Sequence, residues 1–252
     1  MQGKHFILTG STSGLGKALL KKLLANDINV TVLVRNPQKL NQFVAQYHTD
    51  RLSIIQCDLQ SEKEIYHITQ SLQQQKIDGL IYCSGLGYFK SIEAHRTEEM
   101  LETYQLNIIS FNILLEVIRP FFNKYPIIVG IGSQAAFVTQ ANAAHYGASK
   151  AAFYQTLNAI RLEHPNYQVL TVNTGPINTP FHQKADPSLN YAKRYNKIMI
   201  NPDKLADRIF KAMKSKRQEI NQPLWMSFML KLYQLTPRFI EKHFSSFFKN
   251  KI

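Results

Sequence analysis

Cysteine occurs only twice in 252 residues. Cys57 and Cys83 each end an apolar run, which leaves no disulfide framework and suits small core residues in a reducing compartment. No run of about 18 apolar residues occurs, so no spanning helix is expected. No His, Cys and Asp cluster has metal-ligand spacing, and no catalytic metal is expected. Internal repeats, low-complexity tracts and a linker are also missing, so one large domain is the reading that length allows. Acidic residues are scarce, 17 against 30 Lys and Arg, for a net charge of +13. About half of that excess lies between Lys211 and Ile252, where nine cations face two glutamates. Such a balance suits nucleic acid, an anionic membrane, an anionic cofactor or solubility alone. No nucleic-acid module accompanies it, so no nucleic-acid partner is expected. The chain runs straight into KHFILTG without a charged-then-apolar leader, and the expectation is an unexported, cytoplasmic protein.

What the chain does have is alternation. Strand-like segments fall at 5–9, 29–34, 52–57, 79–83, 127–132 and 168–173, with helical patterns starting near Gly14, Pro37, Ser61, Thr97, Ala144 and Pro202. Short, β-branched, nearly continuous apolar strands between helices predict a doubly wound parallel sheet, the Rossmann fold of the α/β class. The turn TGSTSGLG, Thr9 to Gly16, joins the first strand to the first helix. Its glycines at 10, 14 and 16 permit a tight turn and close approach of backbone N–H groups to a pyrophosphate. The second strand ends VLVRNP, with Arg35 where a carboxylate would receive the 2′-hydroxyl of NAD. That exchange predicts NADP(H); Lys17 either adds to the field or is plain helix surface.

The segment HYGASK, His145 to Lys150, places a phenol and an ammonium four residues apart, on one face of a helix. Alone the pair is common on helix surfaces. With the glycine turn and the alternation in one chain, the sequence resembles the short-chain dehydrogenase/reductase family, through T-G-x-x-x-G-x-G and Y-x-x-x-K. The resemblance runs from Thr9 to about Thr179 and continues more weakly beyond. It implies a catalytic group of Asn107, Ser133, Tyr146 and Lys150, with Ser133 thirteen residues before Tyr146 as the family spaces them. Tyr146 would be the proton donor and Ser133 would bind the substrate oxygen. Lys150 would hold the nicotinamide ribose, and Asn107 a water linking Lys150 to solvent. A free phenol titrates near ~10, so the ammonium of Lys150 is expected to lower the pKa of Tyr146. The resemblance also implies a cofactor on Gly10, Ser11, Ser13, Gly14, Leu15 and Gly16, then on Arg35 and Asn36. Beyond these come Asp58 and Leu59 at the adenine, Ser84 and Gly85, and finally Gly175, Ile177 and Thr179, the last at the nicotinamide carboxamide. Two positions depart from the pattern: Tyr82-Cys83-Ser84-Gly85 stands for Asn-Asn-Ala-Gly, and Thr174 for a proline. Altered support of the central strand is expected from the first. His145 has no role in the family pattern.

Residues 177–201 occupy the place of a mobile substrate-covering loop, with Phe181, Tyr191, Tyr195, Ile198 and Met199 either walling a pocket or packing the lid on its own domain. KRQEINQP, 216–223, resembles an edge strand. The expected division is a catalytic domain over 1–222 and a basic amphipathic extension over 223–252, broken at Pro237. There Lys231, Arg238, Lys242, Lys249 and Lys251 accompany Trp225, Phe228, Phe239, Phe244, Phe247 and Phe248. Such helices suit an anionic membrane surface or packing within or between subunits. The function expected is NADP(H)-dependent reduction of a ketone or aldehyde, or the reverse, by a homodimer or homotetramer, the family's assembly. The alternative is an NADP(H)-sensing or membrane-peripheral binding protein on the same fold.

Overall fold

The computed structural model describes residues 1–47, 49–73 and 75–248. Strand β1 (His5–Thr9) leads into helix α1 (Gly14–Leu24), then β2 (Asn29–Val34), α2 (Asn41–Tyr47), β3 (Leu52–Gln56), α3 (Glu62–Leu72) and β4 (Ile77–Tyr82). The second half runs α4 (Thr97–Tyr104), a π turn (Gln105–Ile109), α5 (Ser110–Ile118), β5 (Phe122–Ile131), α6 (Ala144–Glu163) and β6 (Gln168–Thr174). Short helices α7 (Phe181–Ala185) and α8 (Asn190–Tyr195) precede α9 (Pro202–Lys214) and β7 (Glu219–Gln222). The described chain closes with α10 (Leu224–Leu235), α11 (Pro237–His243) and α12 (Ser245–Phe248). Lys249, Lys251 and the Phe247 side chain lie outside the described part.

The seven strands form one sheet in the order β3-β2-β1-β4-β5-β6-β7, every pair parallel. The expected doubly wound fold is present. Its order reverses between β1 and β4, and a crevice opens there at the carboxyl ends of the strands. One core lies between the sheet and α1 and α9, with Leu19, Leu23, Ile209 and Phe210 buried. A second lies on the other face, where Ile65, Phe111, Phe153 and Leu157 pack from α3, α5 and α6. Each such side chain stabilises the fold by about 1.5–3 kcal/mol through area removed from water.

Local chemistry sets the helix starts. Ser61 accepts from the Glu64 amide ahead of α3, and Asn201 from the Lys204 amide ahead of α9, where Pro202 opens the first turn. Helix α6 buries Lys150, Phe153, Leu157 and Ile160, so the face that anchors the helix to the sheet also carries the lysine. Strand β5 begins at Phe122, five residues earlier than the apolar run at 127–132 suggests. Its first residues are exposed Asn, Lys and Tyr, and Ile77 pairs with Phe122 across a register shift. Polar edges of this kind carry no apolar signal. Among the described residues, no helix is long and apolar enough to cross a membrane.

Candidate active site

A cavity of about 1410 Å³ opens at the carboxyl edge of the sheet. The glycine turn forms its floor. Gly10 and Gly14 take φ of +69° and +50°, which side chains rarely adopt. A Cβ at Gly16 would lie 2.0 Å from the Gly10 carbonyl oxygen, and one at Gly10 would lie 2.9 Å from the Cys83 carbonyl carbon. The chain therefore passes through this turn only with glycines. Helix α1 has no acidic residue in its first turn, and the Ser13 side chain does not cap it. The Ser11 hydroxyl beside it is buried without a hydrogen-bond partner. Uncapped helix amides, their positive dipole end and an orphaned hydroxyl together fit a pyrophosphate.

The remaining positions expected to hold a cofactor line the same cavity. They are Ser11, Ser13, Gly14, Leu15 and Gly16; Arg35 and Asn36; Asp58 and Leu59; Ser84 and Gly85; and Gly175, Ile177 and Thr179. Arg35 is exposed at its rim, next to Lys39. Glu102 lies within the field of Arg35, but its carboxylate already accepts from the Tyr88 phenol at 2.6 Å and meets Lys184 at 3.5 Å. Asn36 caps the turn that follows it, accepting from the Gln38 amide at 3.0 Å. Asp58 closes its own turn by accepting from the Gln60 amide at 3.0 Å, and the Leu59 carbonyl accepts from Ser110. Thr179 lays its methyl group on Gly14 and donates to the Ile177 carbonyl at 3.5 Å. The Gly175 amide donates to Gln222 at 2.6 Å, tying this loop to β7.

The altered motif after β4 has its own support. Thr9 Oγ1 accepts from the Cys83 amide at 3.0 Å and the Ser84 amide at 3.1 Å. Buried Tyr82 donates to the Leu106 carbonyl at 2.6 Å, inside the π turn. Neither role is visible in the spacing of the sequence, because both contacts join segments far apart in the chain.

Of the four expected catalytic residues, Ser133, Tyr146 and Lys150 line the cavity, and Asn107 stands behind them in the π turn. The Asn107 amide donates to the Leu86 carbonyl at 2.8 Å and to Ser149 Oγ at 2.9 Å, and its Oδ1 accepts from the Leu86 amide at 2.9 Å. It braces the loop after β4 against α6, which leaves one lone pair of Oδ1 for any other partner. Lys150 is 5 % exposed and donates to the Ile131 carbonyl at 3.0 Å. Burial pushes its pKa down to about 8. A Cβ on Gly85 would sit 3.2 Å from both Asn107 Oδ1 and Lys150 Nζ, so a glycine leaves them room. Ser133 accepts from the Ala135 amide at 3.1 Å, donates to the Thr174 carbonyl at 3.4 Å and is hydrogen-bonded to the Tyr146 phenol.

The expectation that Lys150 lowers the Tyr146 pKa does not hold in this arrangement. Burial raises the phenol above its ordinary value, and the opposing influence is the hydrogen bond with Ser133. The reason is geometric: the ammonium is turned onto the Ile131 carbonyl, and desolvation of the phenol outweighs what remains.

Tyr146 sits in an aromatic box, of which the sequence pointed to Phe181 and Tyr191 and missed Phe89. Its ring centroid is 5.8 Å from Phe89 and 5.7 Å from Phe181, and Tyr191 lies 5.0 Å from Phe89. Gly87 closes the box, since a Cβ there would come within 2.5 Å of the Tyr146 ring. Asp186 holds α8 in place by accepting from the Ser188 amide at 3.1 Å and the Tyr191 amide at 2.9 Å. Phe181, Tyr191 and Tyr195 thus wall the cavity, while Ile198 and Met199 do not line it. The far wall comes from α10, through Trp225, Met226, Met229 and Tyr233.

The arrangement is a phosphate cradle at one end, a phenol, hydroxyl and ammonium in the middle, and an apolar chamber at the other. It leaves room for a dinucleotide beside a phenol and a hydroxyl that can exchange protons. Sequence comparison agrees with this geometry. The family model described as short chain dehydrogenase matches residues 4–190. An NADPH-dependent 3-dehydrocapnine reductase of Ornithobacterium rhinotracheale is 23% identical over 271 residues, covering 96% of each chain. A Burkholderia phymatum short chain dehydrogenase/reductase in complex with NAD superposes with a TM-score of 0.82 at 15% identity, over 100% of this chain and 97% of its own. A Sphingobium yanoikuyae short-chain dehydrogenase in complex with NADPH gives 0.78 at 19% identity, over 93% and 96%. On the match over 4–190, this chain belongs to the short chain dehydrogenase family, oxidoreductases that bind nicotinamide cofactors.

Proposed function

We propose that the protein is an NADP(H)-dependent reductase of ketones or aldehydes with an apolar body. The observation that carries the reading is the joining of Ser133, Tyr146 and Lys150 to an apolar chamber opposite the glycine turn. When bound, the cofactor supplies the hydride that goes to the carbonyl carbon. Ser133 and Tyr146 bind the carbonyl oxygen, stabilising the negative charge that develops there. Tyr146 then gives its phenolic proton to that oxygen, leaving an alcohol. Because burial raises the phenol, Tyr146 stays protonated through neutral pH, the state that can give up this proton. Lys150 lies one turn along α6, held on the Ile131 carbonyl, where it would hold the nicotinamide ribose of a bound cofactor. Asn107 acts from behind, fixing the loop after β4 and the turn of α6 that carries Ser149. The aromatic box shields the reacting atoms from water, which strengthens each of these interactions.

Arg35 and Lys39 at the cavity rim support NADP(H), since a 2′-phosphate would meet cations there. The NADPH dependence stated for the Ornithobacterium relative supports the same choice. The test is steady-state reduction with NADPH and NADH for the wild type and Arg35→Ala. Loss of a charge-assisted bond to the phosphate should lower kcat/KM for NADPH by roughly ten- to a hundredfold and leave NADH within about threefold. Equal losses with both cofactors would remove Arg35 from cofactor choice.

A further inference from the structure

Helices α10 and α11 present two unlike faces. The inner face is fastened: buried Tyr233 donates to Glu241 Oε1 at 2.5 Å and accepts from the Thr139 amide at 3.3 Å. Gln134 donates to the Pro223 carbonyl at 3.1 Å, anchoring the start of α10. The outer face is open. Trp225, Phe228, Leu235 and Phe239 are 57%, 62%, 77% and 61% exposed. Among them stand the exposed cations Lys231, Arg238 and Lys242. The one carboxylate on these helices, Glu241, is taken by Tyr233 and by Arg238 at 2.7 Å.

Trp225, Met229, Leu232 and Phe244 belong to both surfaces. They are exposed and also line the cavity. Apolar surface therefore continues from the outer face of α10 into the chamber beside Tyr146.

We propose that the outer face of α10 and α11 rests on an anionic lipid bilayer and opens the cavity toward it, so that an apolar carbonyl substrate enters from the lipid. The substrate half rests on the reductase reading; the docking half does not. Charge decides between occupants. A second copy docked through the same face by a two-fold axis would set Lys231, Arg238 and Lys242 against their own equivalents, with a single engaged carboxylate to answer them. An anionic bilayer supplies the apolar phase and the counter-charge together. The chain's net charge of +13 favours the same surface. Trp225, the only tryptophan in the chain, sits where indole rings favour the water–lipid boundary.

That single tryptophan makes the docking directly readable. The full chain is mixed with vesicles of phosphatidylcholine alone or with phosphatidylglycerol, and Trp225 emission and co-sedimentation are followed. The expected result is a blue shift and sedimentation with the anionic vesicles and far weaker binding to phosphatidylcholine alone. Lys231→Glu with Lys242→Glu should weaken binding by roughly tenfold or more, as should Phe228→Ser with Phe239→Ser. None of these four residues lines the cavity, so both variants should reduce a short water-soluble ketone at the wild-type rate, which also shows that they fold. Reduction of a long-chain ketone presented in vesicles should fall with binding. The proposal is overturned if anionic vesicles neither shift the emission nor sediment the protein, or if both vesicle types bind equally. It is also overturned by a blue shift that follows protein concentration without vesicles, which would assign the face to a second copy. Emission needs no turnover, so a protein that binds vesicles yet reduces nothing would sink the reductase reading and leave the docking standing.

Discussion

Lys150 holds a charge where little water reaches it, and the cost is visible in its pKa, lowered from 10.5 to about 8 by burial. The unfolded chain binds that proton more tightly than the fold does. The stability associated with the neutral amine is therefore fully present above 10.5 and is lost as pH falls through about 8. Lys150→Met should raise Tm relative to wild type most at pH below 8, with the difference shrinking toward pH 10.5, while abolishing turnover. Thermal melts across that range check it; a constant difference would mean that Lys150 carries no buried charge. Gly87 gives a second prediction at this scale. Gly87→Ala places a methyl group 2.5 Å from a Tyr146 ring atom, so kcat should fall by roughly ten- to a hundredfold with cofactor affinity unchanged. The glycine turn and the Tyr146–Lys150 pair were legible in the sequence because their geometry is local, a turn and one helical repeat. Gly87, Thr9 and Tyr82 were not, because each acts on a residue that only the fold brings near.

Elements were legible to the degree that burial imposed a period. Strands β1 and β2 and the start of α6 follow directly from their apolar pattern, whereas the exposed first half of β5 leaves no such trace. The π turn at Gln105–Ile109 was also hidden, since a single wide turn inside a helical stretch changes no hydrophobic period. Helix α8 shows how polar contacts set an element that hydrophobicity does not. Asp186 accepts from two backbone amides and the Ser188 hydroxyl, which fixes Tyr191 over Phe89. Asp186→Ala should raise KM for the carbonyl substrate by roughly tenfold with a smaller effect on kcat, because the positioning of α8 is lost and the proton donor is not. Steady-state kinetics at saturating cofactor measure the two separately. The sequence of the tail suits either a membrane surface or packing; α10 packs through Tyr233 and leaves its other face exposed.

For the whole molecule, one sheet holds two chemistries at its carboxyl edge, a polar cradle near the order reversal and an apolar chamber between α8 and α10. Alternation of apolar strands and helices predicted that architecture, since each parallel strand must be covered on both faces. The size and apolar lining of the chamber, by contrast, depend on how α7, α8 and α10 converge, which no local pattern encodes. A chamber of this kind should favour bulky apolar carbonyls, with kcat/KM rising about three- to tenfold for every two methylenes added until the chamber is filled.

In the proposed reaction Tyr146 protonates a carbonyl oxygen at the end of an NADPH-binding cleft. The most direct measurement of this step is NADPH oxidation against a series of ketones and aldehydes of increasing chain length, for wild type and Tyr146→Phe, with NADPH binding to both measured alongside. Turnover in the wild type, a loss of roughly 10²–10⁴ in kcat for the variant and equal NADPH affinity in both is the predicted result. NADPH binding without turnover on every carbonyl, or turnover that survives in Tyr146→Phe, would contradict it.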